Sequence, residues 1–313
     1  MTDQAIIDRA RRDAARAAHA ARVSVRDAAD PQGVAGIGRV FDRIWGTVAS
    51  GPVLQDEVLR VYALTGQYLA LATDDATGEV VAASTGMLSA PAGRAVHSHI
   101  TGVLPAGLGR SVGYAIKLHQ RAWALERGIE VITWTFDPLV RRNAWFNLTK
   151  LGARPVRYLV DFYGAMPDAI NAGDASDRLY LQWPLTAPEV VTACAGDVTA
   201  PDAKSLRDKG FRAVLGVAAD GRSPEVAADG GSGPALVQVP PAIDALRRED
   251  LVAARQWRAA AREALLPAMT QGARITGMTR DGYYVLEPAE DPARESDGES
   301  DGESDGESGG EEG

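Results

Sequence analysis

A single cysteine, Cys194, in 313 residues leaves no intrachain disulfide framework and suits a reducing compartment. With no histidine positioned beside it in sequence, it reads as a small hydrophobe rather than a nucleophile. No apolar run is long enough to span a bilayer, and the N-terminus has no apolar signal core, so a cytoplasmic protein with no membrane partner is expected. Two phosphate-binding motifs are also missing. The glycines at Gly107, Gly109 and Gly113 do not have G-x-G-x-x-G spacing, and no Gly-Lys-Ser/Thr follows them. Excess positive charge is lacking too. The formal charge is −9, but Glu287 to Gly313 alone carries twelve acidic residues and one Arg, which leaves a body of about +2. Nothing in that balance points to a nucleic-acid partner.

What is present centres on Val103 to Gly128. A strand-like run, Val96 to Val103, leads into a Pro/Gly-rich turn from Pro105 to Gly113 and then a helix to about Arg127. Such a turn exposes several backbone N–H groups with the positive end of a helix dipole behind them, which suits a pyrophosphate. The same spacing also fits an ordinary tight turn. Val112, Ala115, Ile116, Ala122 and Trp123 share one helix face, whereas Lys117, Gln120, Arg121 and Arg127 are expected mostly away from it. Glu130 to Phe136 follows as a buried strand. Pro138 to Leu151 reads as a helix with Asp137 as N-cap and Gly152 just past its end.

These residues carry a resemblance. Val103-x-Pro105, the Gly109-Arg110-Ser111-Val112-Gly113 turn, the long helix, and Asn143-Ala144 with Lys150-Leu151-Gly152-Ala153 resemble the GNAT superfamily of acyl-CoA-dependent N-acyltransferases. WTFDPL (Trp134 to Leu139), RNAWFN (Arg142 to Asn147) and Tyr163-Gly164 are similar to a bacterial branch of acetyltransferases without an assigned substrate. The GNAT-like part runs from about Ala21 to Leu185, and Trp257-Arg258 with Arg262 extends the likeness to about Glu287.

The resemblance implies an α/β (α+β) GNAT fold, with a mixed, mostly antiparallel central sheet flanked by helices. It also implies that the turn binds the CoA pyrophosphate, through Gly109, Arg110, Ser111, Val112 and Gly113, and that the pantetheine arm inserts between two splayed strands. Acetyl-CoA is the default co-substrate, with succinyl-CoA or another short acyl-CoA open, and a small-molecule amine such as an amino acid is the acceptor; no metal is implied. Backbone N–H groups near Val103 and Leu104 would polarise the thioester carbonyl. Three positions depart from the family. Leu108 and Ser111 stand where the turn carries Arg/Gln and Gly, and Leu148 stands where many members carry a Tyr as general acid. A non-catalytic acyl-CoA-binding or interaction protein is therefore the alternative.

Four segments are expected: an N-terminal helical arm (1–21), a core (22–186), a C-terminal α+β extension (187–287) and a disordered acidic tail (288–313). The arm, rich in Ala and Arg, reads as a solvated helix. In the core, Val23 to Arg26 reads as a strand, Gly38 to Gly46 and Gln55 to Leu64 as helices, and Tyr68 to Thr73 and Val80 to Leu88 as a hairpin. Val156 to Tyr163 and Leu179 to Trp183 read as closing strands, joined by a loop containing Asp168, with Asp177-Arg178 as a surface ion pair. The extension is loop-rich at 195–208 and 218–233, with strands at 211–217, 235–239, 274–278 and 283–286 and a strong helix at Glu249 to Leu266. Three Glu-Ser-Asp-Gly repeats from Glu295 to Gly306, with no apolar residue after Ala293, cannot offset the entropy of ordering the tail.

His97, His99 and Thr101 alternate along one strand and are expected on one face. His99 is the candidate base, directly or through water; a packed strand histidine is the other reading, and no third ligand supports a metal site. His19 and His119 read as incidental. Asn143 and Asn147, at i and i+4, are candidates for the pantetheine or a reacting group, against local capping or solvent contact. Arg255, Arg258 and Arg262 form a helical stripe, read as a solvated face or as a structural or substrate-carboxylate site. A homodimer is left open.

Overall fold

The computed structural model describes residues 3–46, 52–91, 93–164, 173–198, 200–227 and 233–289. In chain order, helix α1 (Asp3–Ala21) leads into β1 (Val23–Asp27), α2 (Pro31–Trp45) and α3 (Asp56–Leu64). The hairpin of β2 (Tyr68–Asp74) and β3 (Val80–Leu88) follows, then β4 (Val96–Val103), α4 (Val112–Leu125) and β5 (Val131–Phe136). The helix α5 (Arg141–Ala144) continues as a π-helix over Trp145–Lys150, and β6 (Arg154–Leu159) and β7 (Arg178–Pro184) come next. Seven strands form one mixed sheet in the order β1-β2-β3-β4-β5-β7-β6. This is the α/β architecture implied by the resemblance. Only β4 and β5 run parallel, across the α4 crossover; the other neighbours are antiparallel.

Each face of the sheet has its own apolar cover. Ile37, Val40 and Phe41 of α2 and Leu59 of α3 pack on Leu69, Leu71 and Ala83. On the other face Ala115, Ile116 and Leu118 of α4 pack with Tyr68, Ala70, Ala82 and Ile132. The helix α2 begins seven residues before the expected Gly38, because Asp30 caps it by accepting the Gly33 N–H at 2.9 Å and Pro31 occupies the first turn.

The helix α1 is not a solvated arm. Ala10, Ala17 and Ala21 are buried within the same apolar cluster as α4. Small residues let the two helices approach closely, with Arg121 of α4 beside Asp13 of α1. Lys117, Gln120 and Arg121 are all buried, contrary to the amphipathic reading, because Lys117 and Gln120 lie against the sheet beside Ser98 and Gly86. Arg121 donates to the Leu185 carbonyl at 2.8 and 3.1 Å, and its Nη1 lies 3.6 Å from the buried Asp13.

After β7, α6 (Pro188–Ala195) and α7 (Ala203–Asp208) lead to β8 (Arg212–Val217), β9 (Pro224–Val226) and β10 (Ala235–Gln238). Then α8 (Ile243–Glu249), α9 (Leu251–Thr270), β11 (Arg274–Met278) and β12 (Tyr283–Glu287) follow. The strands form a second sheet, β11-β12-β10-β8-β9. Trp257, Ala261 and Leu265 of α9 join the apolar cluster that also holds Trp183, Leu179 and Tyr158 of the first sheet. Polar contacts reinforce this junction: Tyr284 donates to the Pro138 carbonyl at 2.7 Å, Thr149 to the Met278 carbonyl at 3.1 Å, and Arg141 to the Arg280 carbonyl.

Several charged residues take other positions than expected. Asp137 does not cap a helix at Pro138. It accepts the Leu139 N–H at 2.9 Å and is buried against Arg247 and Arg258. Asp177 is fully buried rather than on the surface, and it pairs with Arg262 at 2.6 Å and Tyr158 at 2.6 Å. Arg258 and Arg262 are therefore structural cations and not a solvated stripe. Asp168, with the rest of 165–172, and residues 290–313 of the acidic segment lie outside the described residues. No helix among the described residues is long and apolar enough to cross a membrane.

Candidate functional site

The parallel pairing of β4 with β5 lasts for two residues, Val96 with Ile132 and His97 with Thr133. Beyond them the strands part. On its other edge β4 remains paired with β3 up to Val103, and Leu104 donates its N–H to the Val81 carbonyl at 2.8 Å. In an antiparallel ladder the groups of alternate residues point to opposite edges. Leu104 bonds to β3, so the N–H groups of Val103 and Thr101 point towards β5, into the opening. The 2.7 Å contact of Ser84 Oγ with Thr101 Oγ1 fits a close, non-hydrogen-bonded pair. Val103 thus has a donor for a carbonyl in the cleft. Leu104 does not, since its N–H is already used.

The far end of the opening is the turn before α4. Gly109 (φ 76°) and Ser111 (φ 64°) are both left-handed. A Cβ at the buried Gly107 would lie 2.9 Å from Val103 Cγ1, so the turn can pack this tightly only with glycine there. Among the described residues, the N–H groups of Gly109, Arg110, Ser111, Val112 and Gly113 donate to no backbone carbonyl. Five consecutive unspent donors at a helix N-terminus, with alternating left-handed residues, make an anion-binding concavity. The Arg110 side chain turns away from it. Its Nη1 pairs with Asp74 at 2.5 Å, and its Nη2 donates to the carbonyls of Ala21 and Arg22. Arg110 therefore offers an anion its backbone N–H, while its guanidinium fixes the turn to β1 and β2. The hydrogen bond from Arg110, together with the Thr77 and Ala76 N–H groups, holds the Asp74 carboxyl down at about 2. Leu108 is exposed beside the turn.

A register shift in β4 changes the expected histidine face. Thr85 pairs with Ile100 and Gly86 with Ser98, so His99 is the extra residue of a β-bulge. His97, His99 and Thr101 therefore do not alternate on one face. Thr101 lies with Ser98 on the α4 side, whereas His97 lies on the opposite side. There His97 Nδ1 meets Thr133 Oγ1 at 3.0 Å, and the ring stacks on Tyr180 with centroids 6.4 Å apart. This is the packed strand histidine. His99 is exposed and has no hydrogen-bond partner among the described residues. Desolvation against the sheet lowers the pKa of both, with the nearby His99 and Lys117 adding to the effect at His97. Both imidazoles are thus neutral at pH 7.

Asn143 and Asn147 are not equivalent. Asn143 is exposed, whereas Asn147 is 4% exposed and sits in the π-helix. The widened turn, closed by Leu151 N–H on the Phe146 carbonyl at 3.1 Å, moves an i+4 residue off the face it would share in an α-helix. The Leu148 side chain is buried in the apolar cluster.

Sequence reasoning missed what lies on the α4 side of the opening. Lys117 Nζ is 2.8 Å from Ser98 Oγ and 3.2 Å from Gln120 Oε1, and it lies 4.0 Å from the centre of the Trp134 ring. Burial without a carboxylate partner brings its pKa down to about 7. A Lys inside an otherwise apolar helix stretch was the available signal. It was uninformative because the packing of α4 on the sheet, which sets Lys117 between β4 and β5, is not written in the helix pattern.

No family model matches the chain, and no curated protein matches it. Solved structures do. The chain is similar to an acetyltransferase of the GNAT family from Streptococcus pneumoniae, at 13% identity over 51% of this chain and 98% of that one, with a TM-score of 0.41. It is similar to a GNAT superfamily phosphinothricin acetyltransferase from Sinorhizobium meliloti in complex with AcCoA, at 17% identity over 52% and 88%, with a TM-score of 0.41. A third is the ribosomal-protein-S18-alanine N-acetyltransferase from Escherichia coli, at 11% identity over 53% and 95%, with a TM-score of 0.41.

Proposed function

We propose that this chain transfers a short acyl group, acetyl by default, from an acyl-CoA to the amine of a small molecule such as an amino acid. The observation that supports this reading best is the parting of β4 from β5 after two paired residues, with unspent N–H groups at both ends of the opening. An extended pantetheine chain can pair with the free edge of β4 as a missing strand would. The backbone donors from Gly109 to Gly113 suit the pyrophosphate, and the Asn147 amide suits a pantetheine amide.

The acceptor must be neutral to attack. His99, exposed on the bulge and neutral at pH 7, takes the ammonium proton directly or through one water. The free amine then adds to the thioester carbonyl, whose developing charge meets the Val103 N–H. The bond to sulfur breaks, leaving the amide and CoA.

Thiol release from acetyl-CoA and succinyl-CoA across a panel of amino acids and simple amines tests the proposal. Amine-dependent release and a matching acylated product support it. Tight CoA binding without release on any amine would favour the non-catalytic acyl-CoA-binding reading.

A further inference from the structure

The acyl-transfer reading leaves one chemical need unmet. As the amide forms, the attacking nitrogen must shed a proton, and the departing sulfur, a thiolate, must gain one. Where β4 and β5 part, one titratable side chain is enclosed on the α4 side. Ser98 is the first residue of β4 beyond its last pairing with β5, and Trp134 is the next residue of β5. Between them lies Lys117 Nζ, bonded to Ser98 Oγ at 2.8 Å, in a side chain only 6% exposed.

The surroundings are unusual for a purely structural lysine. Among the described residues no carboxylate pairs with it. From its own helix it meets Gln120, whose Oε1 accepts from Nζ while Nε2 is buried without a partner. From β4 it meets Ser98, from β5 the face of Trp134, and across the sheet His97 is close enough to feel its charge. An ammonium ion taken out of water without an anion is costly. A neutral amine with a serine hydroxyl in contact is not, and buried lysines of this kind serve as general bases.

We propose that Lys117, acting through Ser98, carries the proton from the attacking nitrogen to the departing sulfur. The proposal rests on the acyl-transfer reading. In the cycle the C–N bond forms and the C–S bond breaks, with its electron pair going to sulfur. The nitrogen gives one proton to Ser98 Oγ as the Ser98 hydroxyl proton passes to Lys117 Nζ. The ammonium so formed returns its proton through Ser98 to the thiolate. Lys117 and Ser98 end as they began, so no other reactant is required. Transfer to the thiolate is downhill, since a free thiol titrates at about 8.5 and the lysine near 7.

The chain has four lysines, Lys117, Lys150, Lys204 and Lys209, so the side-chain amine can be followed directly by NMR in lysine-labelled full-length protein. The Lys117 signal, identified by its loss in Lys117→Met, is expected to titrate near 7, apart from the other three. In steady-state assays kcat of the wild type is expected to rise with pH through the same region. Lys117→Met and Ser98→Ala should lose that limb and about 100-fold or more of kcat, with KM for acyl-CoA changed only a few-fold. If Lys117→Met fails to fold, Ser98→Ala carries the kinetic test, and the Lys117 signal is assigned instead in a chain with Lys150, Lys204 and Lys209 replaced by arginine. Titration of Lys117 near its ordinary value, an unchanged limb in Ser98→Ala, or a stable acyl group on Lys117 by mass spectrometry would each overturn the relay while leaving the transferase reading in place. A wild type that releases no thiol on any amine would overturn both.

Discussion

Arg258 grips Asp137 with both ends of its guanidinium, Nη1 to Oδ1 at 2.7 Å and Nη2 to Oδ2 at 2.8 Å, across 121 residues of sequence. Both side chains are buried, and Arg258 also reaches Asp174 at 2.9 Å while Arg247 reaches Asp137 at 2.5 Å. The cluster ties α8 and α9 to the end of β5, one turn of chain from the π-helix. A fork-to-carboxylate pair of this kind is geometrically specific, and removing one partner strands the other charge out of water.

Arg258→Met is therefore expected to destabilise the fold by about 3–5 kcal/mol, measured by urea unfolding at pH 7. The paired change Arg258→Met with Asp137→Leu should cost less than the single change, because no charge is stranded. The pH dependence has a definite sign. Burial by itself would raise the Asp137 carboxyl, but the hydrogen bond and charge of Arg258 and the charge of Arg247 outweigh it and bring the pKa to about 2. A folded-state value below the unfolded one means stability that is present above about pH 4 and lost as pH falls towards 2, on the order of 2 kcal/mol for this group. Acid unfolding of the wild type should show that window and the Arg258→Met protein should not. A single variant as stable as the wild type would refute the structural role given to the cluster.

Much of the first sheet was legible because its elements are bounded locally. Gly78 and Gly128 close a turn and a helix, and apolar runs such as Val131–Phe136 are too short and too β-branched to be helices. What was hidden depends on contacts between distant residues. The early start of α2 was masked by Gly33, Gly36 and Gly38, which weaken a helical reading although each packs closely against a neighbour. The His99 bulge is a matter of register between strands, and no pattern within Val96–Val103 encodes it. The burial of Lys117 depends on Ser98 and Trp134 of the strands it lies between, and the ion pairs of Asp137 and Asp177 depend on α9, far downstream. The proposed backbone donors at Val103 and Gly109 could be named from the sequence. The roles proposed for Lys117 and Ser98 rest on their surroundings and could not.

Ser111 occupies a left-handed conformation at φ 64°, ψ 24°, and its side chain makes no cap hydrogen bond to α4. A Cβ in that region is unfavourable, and glycine is the residue that relieves it. Ser111→Gly should thus raise stability by about 0.5–1 kcal/mol, read as a shift of the urea midpoint with an unchanged slope. Because the N–H donors of the turn are retained, CoA affinity should hold or improve in calorimetry. A loss of affinity with the fold intact would mean that the Ser111 hydroxyl itself contacts the ligand, which the backbone cradle does not require.

His99→Gln removes a base whose pKa is lowered below 6.5, since desolvation disfavours the imidazolium. In the proposed reaction the neutral form is the active one, so wild-type turnover should fall as pH drops through that depressed value, below any limb that belongs to Lys117. In His99→Gln that lower limb should vanish and kcat should drop about 100-fold, with CoA affinity retained. His97→Gln, by contrast, removes a bond to Thr133 and should act mainly on stability. If the pH–rate profile of His99→Gln matches the wild type, the acceptor's proton goes to solvent without help from this side chain.

Removal of Asp291 to Gly313 should leave both the fold and CoA binding in place. The segment carries no apolar residue after Ala293, and its repeated Glu-Ser-Asp-Gly units have neither helical nor strand periodicity. The remaining body is close to neutral, so electrostatic attraction between tail and body is weak and non-specific. The negative charge of the segment can nevertheless oppose an anionic ligand. In the proposed complex CoA brings several phosphate charges to the backbone N–H groups of the turn, and a polyanion on the same chain raises the work of bringing them there. Truncation is then expected to leave the melting temperature almost unchanged and to tighten CoA binding slightly. That gain should shrink as ionic strength rises and the Debye length falls below about 10 Å. The measurements are thermal unfolding and calorimetry of the full-length and truncated chains at low and high salt. A melting temperature several degrees lower on truncation would show that the tail packs on the body. A gain in affinity that persists at high salt would show that it blocks the turn by contact rather than by charge.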